Sequence, residues 1–477
     1  MCHARFFLLA GCLWLLAAGP VRAQFHEIYG LSGQSGELTS VAATSTPGAA
    51  IASGNFDVGS MQGVLLKVQP TGKLDWVRAY GSIQISSVRE SLGGRYAWIG
   101  TTEVAQRQGS APVVVEVDPN GTSVLWARVI RLVLPDGTPA VQAYGRFLEI
   151  DRQNESYWVG GEVWFHTADQ PQPWLGKLDG AGNLLWAKTL SVYNNARFYS
   201  IFPAYEGGII GVGLRWPPDD RDRTRMLAVK LGEGGDLKWA FDYRVTNTEG
   251  PAEQRLADLD RDPRYKEGKS AVVGTVAAFC KSVPSVPCDR VESAAFVAIL
   301  DESNGTLSNA HGLVSGNQKQ PKIFGETIVH DLTGETLAIG GEAAGAAPAE
   351  QGLLALLTPG ANFVRKASFH GAGATFDAGV RSLDRSRTGP DHNYLFLMNE
   401  TSVLATPARH RSLVKTNRDG SSGVCEWNAD VKLFDAWLQQ GQVPVELRDG
   451  KAGPIEVQVT SPKLRQEPCG LLPAGGR

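Results

Sequence analysis

Leu175-Gly176-Lys177-Leu178-Asp179-Gly180-Ala181-Gly182-Asn183-Leu184-Leu185-Trp186 decides how this chain is read. A short apolar run enters an Asp/Gly-rich turn, and a second apolar run leaves it and ends on tryptophan. That is the pattern of a β-hairpin. It recurs at Leu65–Trp76, Val115–Trp126 and Ala228–Trp239. Weaker copies without the tryptophan follow at Ala298–Leu307 and Leu354–Phe363, and Leu413-Val414-Lys415 leads to Gly423–Trp427.

Working outward, each hairpin is preceded by an apolar segment carrying glycine. The copies are Ala52-Ser53-Gly54, Trp98-Ile99-Gly100, Val159-Gly160-Gly161, Gly211-Val212-Gly213, Val273-Gly274 and Ile339-Gly340-Gly341; the seventh, Leu397-Met398-Asn399, lacks the glycine. A further weakly apolar segment precedes that one, as in Phe147–Ile150, Tyr199–Phe202 and Glu326–Val329. The repeating unit is therefore four short strands. One such sheet cannot bury both faces alone, whereas sheets packed radially can. The sequence thus predicts an all-β, seven-bladed β-propeller of four-stranded blades, in which tryptophan docks between blades and glycine permits close approach. The 55 glycines and 12 tryptophans among 477 residues fit such a fold. Two segments compete for the last outer strand: Phe25–Gly30, which resembles Trp76–Gly81, and Cys425-Glu426-Trp427. Residues 444–460 read as an added hairpin turning at Asp449-Gly450. The expected organisation is a signal peptide over 1–23, the propeller over 24–430, and a C-terminal β-hairpin extension over 431–477.

The expected leader has Arg5, an apolar stretch from Phe6 to Ala18, and a small-residue cleavage site ending at Ala23. Leu9-Ala10-Gly11-Cys12 offers a rival lipoprotein site, with lipid attachment at Cys12. Export to the periplasm or extracellular space follows from either. In an exported chain, Cys280, Cys288, Cys425 and Cys469 favour disulfides, and three pairings are open. Cys280–Cys288 with Cys425–Cys469 is the most economical and would tie the extension back. No later apolar run reaches the ~20 residues needed to span a bilayer. A net charge of −3 gives no footprint for nucleic acid.

The hairpins resemble two related bacterial repeats. One is the seven-bladed repeat of exported bacterial proteins, whose units read Lys-Leu-Asp-x-x-Gly-x-x-Trp followed by Tyr-Gly. The other is the tryptophan-docking repeat of pyrroloquinoline quinone dehydrogenases and related non-catalytic scaffold propellers. Val68–Trp76 is similar to both, and the resemblance spans about residues 25–430. It implies the fold and a bacterial envelope or extracellular setting. It does not imply dehydrogenase chemistry, since this chain has seven repeats and no vicinal cysteine pair.

No zinc spacing, nucleophile elbow or phosphate-binding loop occurs, so no metal and no cofactor is expected. Asp258-Leu259-Asp260-Arg261-Asp262 faintly resembles a calcium loop, but Pro263 stands where glycine is required. Together with Asp151, Asp331 and Asp384, these aspartates read as caps of turns after first strands. Arg146, Arg197 and Arg255 fall just before the first strands of three successive repeats, with Glu326 and Asp377 near the same place in the next two. They would ring one mouth of the channel and could bind an anionic ligand, or simply pair with one another.

The favoured expectation is a non-catalytic binding or scaffold module that takes an envelope protein, a glycan or a small anionic ligand. The alternative is a propeller enzyme, whether hydrolase, lyase or quinone-dependent oxidoreductase, with its site in the central channel. Several close carboxylates or a His–acid pair in the channel would mark the enzyme. An apolar plug would mark the binder.

Overall fold

The computed structural model describes residues 24–468 except 31–35, 58–59, 105–108, 134–139, 166–170, 193–195, 218–222, 249–251, 262–267, 282–291, 316–321, 332, 345–349, 371–375, 386–393, 403–408, 420, 423–425, 429–430, 437, 443–444 and 455–464. The expected leader, Cys288, Cys425 and Cys469 lie outside the described residues. Cys280 is disulfide-bonded. No helix among the described residues is long and apolar enough to cross a membrane.

The described fold is all-β, broken only by a 3-10 turn at Leu92–Gly94. Strands follow one another as antiparallel four-strand meanders. Unit one comprises Gly36–Ala43, Ala50–Asp57, Met61–Val68 and Leu74–Ala79; unit two comprises Ile83–Glu90, Tyr96–Val104, Gly109–Val117 and Val124–Leu132. Unit three comprises Gln142–Asp151, Ser156–Trp164, Gln172–Leu178 and Leu184–Val192; unit four comprises Ala196–Pro203, Ile209–Arg215, Arg225–Leu231 and Leu237–Val245. Unit five comprises Gln254–Arg261, Lys269–Ala277, Ser293–Asp301 and Leu307–Ser315; unit six comprises Lys322–His330, Leu337–Ala344, Glu350–Leu357 and Val364–His370. Unit seven comprises Phe376–Arg385, Tyr394–Ser402 and Arg409–Lys415, and its fourth strand is the N-terminal Phe25–Gly30.

Successive first strands touch each other through the whole series, and the first strand of unit one touches that of unit seven. The hydrophobic core is divided accordingly, with a separate buried cluster at each junction of neighbouring units, including seven with one. Second strands are sandwiched on both faces. Ile209–Arg215 is buried at every position, which explains its unbroken apolar run. Trp98, Trp158 and Trp174 are wholly buried at these junctions. Burying a large apolar side chain contributes about 1.5–3 kcal/mol.

Outer-strand aromatics join each unit to the turn of the next. The rings of Trp76, Trp126 and Trp186 lie against Gly121, Gly182 and Gly235, whose φ angles of 67°, 78° and 79° favour glycine. Trp186 Nε1 donates to the Glu233 carbonyl at 2.8 Å. The Tyr80 hydroxyl donates to the Gly121 carbonyl at 3.0 Å, and Tyr29 of the N-terminal strand bonds the Gly72 carbonyl in the same way.

The C-terminal segment decides one open alternative and corrects one expectation. Glu426–Asn428 pairs with Val364–His370, so it is a fifth strand on unit six and not the outer strand of unit seven. Val445–Pro454 is one continuous strand, not a hairpin turning at Asp449-Gly450. Its first half pairs with Leu184–Val192 of unit three and its second half with Val124–Leu132 of unit two. Two open outer edges lie end to end there, and one extended strand satisfies both.

Candidate functional site on the first strands

Every first strand carries a register shift that inserts one extra residue, a β-bulge. The inserted residues are Thr39, Ser86, Arg146, Tyr199, Ala257, Glu326 and Arg381 in units one to seven. The recurring glycine of the second strand sits opposite each bulge in the first six units. A Cβ at Gly54, Gly100, Gly161, Gly213, Gly274 or Gly341 would lie 1.9–2.3 Å from a first-strand carbonyl oxygen. The bulge pushes that carbonyl toward the neighbouring strand, and only glycine leaves room for it.

Beyond the bulge, first-strand side chains bond from one unit to the next. Asp258 of unit five accepts from Ser200 Oγ of unit four at 2.6 Å and from Thr327 Oγ1 of unit six at 2.9 Å. It also accepts from the backbone of Leu259 at 2.9 Å and of Ile328 at 3.1 Å. Asp258 as a residue is half-buried. Asp260, on the same strand face, accepts from His330 N at 2.7 Å and from Arg385 Nη1 of unit seven at 3.0 Å. The His330 Nδ1 atom lies 3.5 Å from Asp260 Oδ2. Arg89 of unit two binds Glu149 of unit three at 2.5 and 3.0 Å and Ser40 of unit one at 3.2 Å. Asp384 accepts from Ala43 N at 2.8 Å, linking unit seven to unit one.

The two neighbouring aspartates titrate in opposite directions. Burial pushes the Asp258 carboxyl up to about 6, against the pull of its four donors. Burial also opposes ionisation of Asp260, but the Arg385 guanidinium and His330 hold it below the ordinary carboxylate value. Near pH 5 the strand thus presents a protonated and an ionised carboxyl two residues apart. Burial works against the charge on Arg89, yet Glu149, with Asp384 and Asp258 contributing, holds its pKa above the ordinary value.

The residues expected at the channel mouth all lie inside the first strands rather than before them. Arg146 and Glu326 are bulge residues, whereas Arg197 and Arg255 stand two positions before their bulges. Arg197 Nε is 2.8 Å from Glu162, and Arg255 Nη2 is 2.5 Å from Glu326. Arg146 lies over the Tyr144 ring at 5.1 Å and Arg255 over Tyr199 at 5.2 Å. Tyr144 in turn packs edge-on against Trp164. Asp377 is opposite Thr401 in the strand Phe376–Arg385, and its side chain is outside the described residues.

Asp151 and Asp331 do cap turns, accepting from Gln153 N at 3.0 Å and Glu335 N at 2.8 Å. Asp258, Asp260 and Asp384 do not: they lie within first strands and bond to other units. Arg89, Glu149, His330 and Arg385 carried no signal in the sequence, because the partners that define them lie on other units. Among the described residues no group of three or more His, Cys, Asp or Glu side chains could hold a metal ion.

No family model and no curated protein matches the sequence, so the resemblance to quinone-dehydrogenase repeats gains no support from sequence families. Among solved structures, the chain is similar to an endo-1,5-alpha-L-arabinanase from Thermotoga petrophila RKU-1 in complex with Tris. The TM-score is 0.26 and the identity 10%, over 79% of this chain and 97% of that one. The expectation of a non-catalytic module is corrected here. The first strands themselves bring together close carboxylates, Asp258 and Asp260, and a His–acid pair, His330 with Asp260.

Proposed function

We propose that this chain is a seven-bladed β-propeller enzyme performing acid–base chemistry, hydrolysis or elimination, in the channel between its first strands. The cyclic order of contacts and the separate core at each junction support the seven-bladed reading. One observation carries the chemistry: Asp258 and Asp260 share a strand face with their pKa values pushed apart. A pair split in this way supplies an acid and a base at one pH. Asp258, half-buried and near 6, is the proton donor. Asp260, held ionised by Arg385, is the charged partner that positions the site.

At the mouth, Arg146, Arg197, Arg255, Glu326 and Asp377 are the ligand-binding residues of this reading. Arg146 and Arg255 over Tyr144 and Tyr199 combine cationic and flat apolar surfaces, which suits an acidic glycan. An exported setting agrees with such a substrate.

The test is turnover of a panel of oligouronides by the full chain from pH 4 to 8. The expected rate falls as pH rises through about 6, and Asp258→Asn loses about 100-fold or more in kcat. Absence of turnover across the panel, or full activity in Asp258→Asn, overturns the reading.

A further inference from the structure

We propose that the segment from Glu426 to Pro468 is a circumferential strap that holds the ring of units closed. It visits the outer edges in reverse order. Glu426–Asn428 lies on unit six, Val431–Asp435 on Leu307–Ser315 of unit five, and Leu438–Gln442 on Leu237–Val245 of unit four. Val445–Pro454 then covers units three and two. After residues 455–464, which are outside the described residues, Arg465–Pro468 pairs with Phe25–Gly30 of unit seven. The strap thus starts on unit six, visits units five, four, three and two, and ends on unit seven.

Three observations make this more than a tail lying on a surface. Strap strands touch two units at once: Val431–Asp435 also contacts Val364–His370 of unit six, and Val445–Pro454 contacts Leu237–Val245 of unit four. Backbone and side chain tie it down between strands, with Ala436 N donating to the Ala310 carbonyl at 2.9 Å and Gln440 Nε2 to the Gly305 carbonyl of the next unit at 3.3 Å. Its last strand flanks the N-terminal strand, whose other side pairs with Arg409–Lys415. The two ends of the chain therefore lock each other into unit seven. Ordering each residue of such a segment costs roughly 1–2 kcal/mol, which the pairing of its strands with the outer edges offsets.

Hydrogen exchange on the full chain and on a variant lacking residues 465–477 tests the strap. In the full chain, amides of Val431–Asp435 and Val445–Pro454 are expected to be protected to the same degree as the outer strands they pair with. In the deletion variant, amides of Phe25–Gly30 are expected to exchange at least tenfold faster and the Tm to fall, while Leu184–Val192 stays unchanged. Rapid exchange throughout the strap of the full chain overturns the proposal. So does a deletion that leaves both the N-terminal strand and the Tm as they were.

Discussion

At the scale of single residues, Asp258 and the second-strand glycines carry the account. Asp258 is pushed up to about 6, above the ~3.9 of an unfolded aspartate, so the folded chain holds the extra proton between those values. Its stabilising effect is full below pH 4 and is lost as pH rises through 6. The stability of the wild type relative to Asp258→Asn should therefore fall by up to about 3 kcal/mol between pH 4 and 7. Urea unfolding of both proteins across that range checks it, and a constant difference contradicts it. For the glycines, Gly161→Ala places a Cβ 1.9 Å from the Tyr144 carbonyl and should cost about 2–3 kcal/mol. Gly234→Ala, whose Cβ meets nothing nearer than 3.8 Å, should stay within about 0.5 kcal/mol. The row of glycines was plain in the sequence, but its reason was not. The bulge residues opposite are as unlike as Thr39, Arg146, Tyr199 and Glu326, so no residue type announces the bulge.

At the scale of elements, the hairpins were legible wherever tryptophan marks them, and the same meander persists where it does not. In unit five Asn309 stands at the tryptophan position with φ 48°, next to a register shift between Val297 and Ile299. In unit six Lys366, opposite Leu356, takes the place of tryptophan, and Ala361 at the turn has φ 58°. Burial between two units, rather than the marker residue, forms these strands. First strands were harder to read. Alternation in Asp258-Leu259-Asp260 was visible, yet it suggested turn caps because Ser200 and Thr327, which receive Asp258, lie on other units. The arginines expected just before the first strands lie within them, and their different positions relative to the bulge, with the pairing of Arg197 and Arg255 to carboxylates, needed coordinates.

At the scale of the whole molecule, the succession of four-strand units could be inferred from the repeat, but the path of the C-terminal strands could not. Pairings such as Glu27 with Pro468 join the two ends of the chain, and local sequence has no means of specifying them. The same distance dependence governs the site. Asp258 meets Ser200 and Thr327, and Asp260 meets Arg385, only when the first strands of units four to seven come together. Packing of these units against one another is thus what drives the two carboxyls apart. Carboxyl-carbon NMR on aspartate-labelled protein, with Asp258→Asn and Asp260→Asn assigning the signals, measures this directly. The account predicts an Asp258 midpoint near 6 and an Asp260 midpoint below the ordinary aspartate value; two midpoints together near 4 would contradict it.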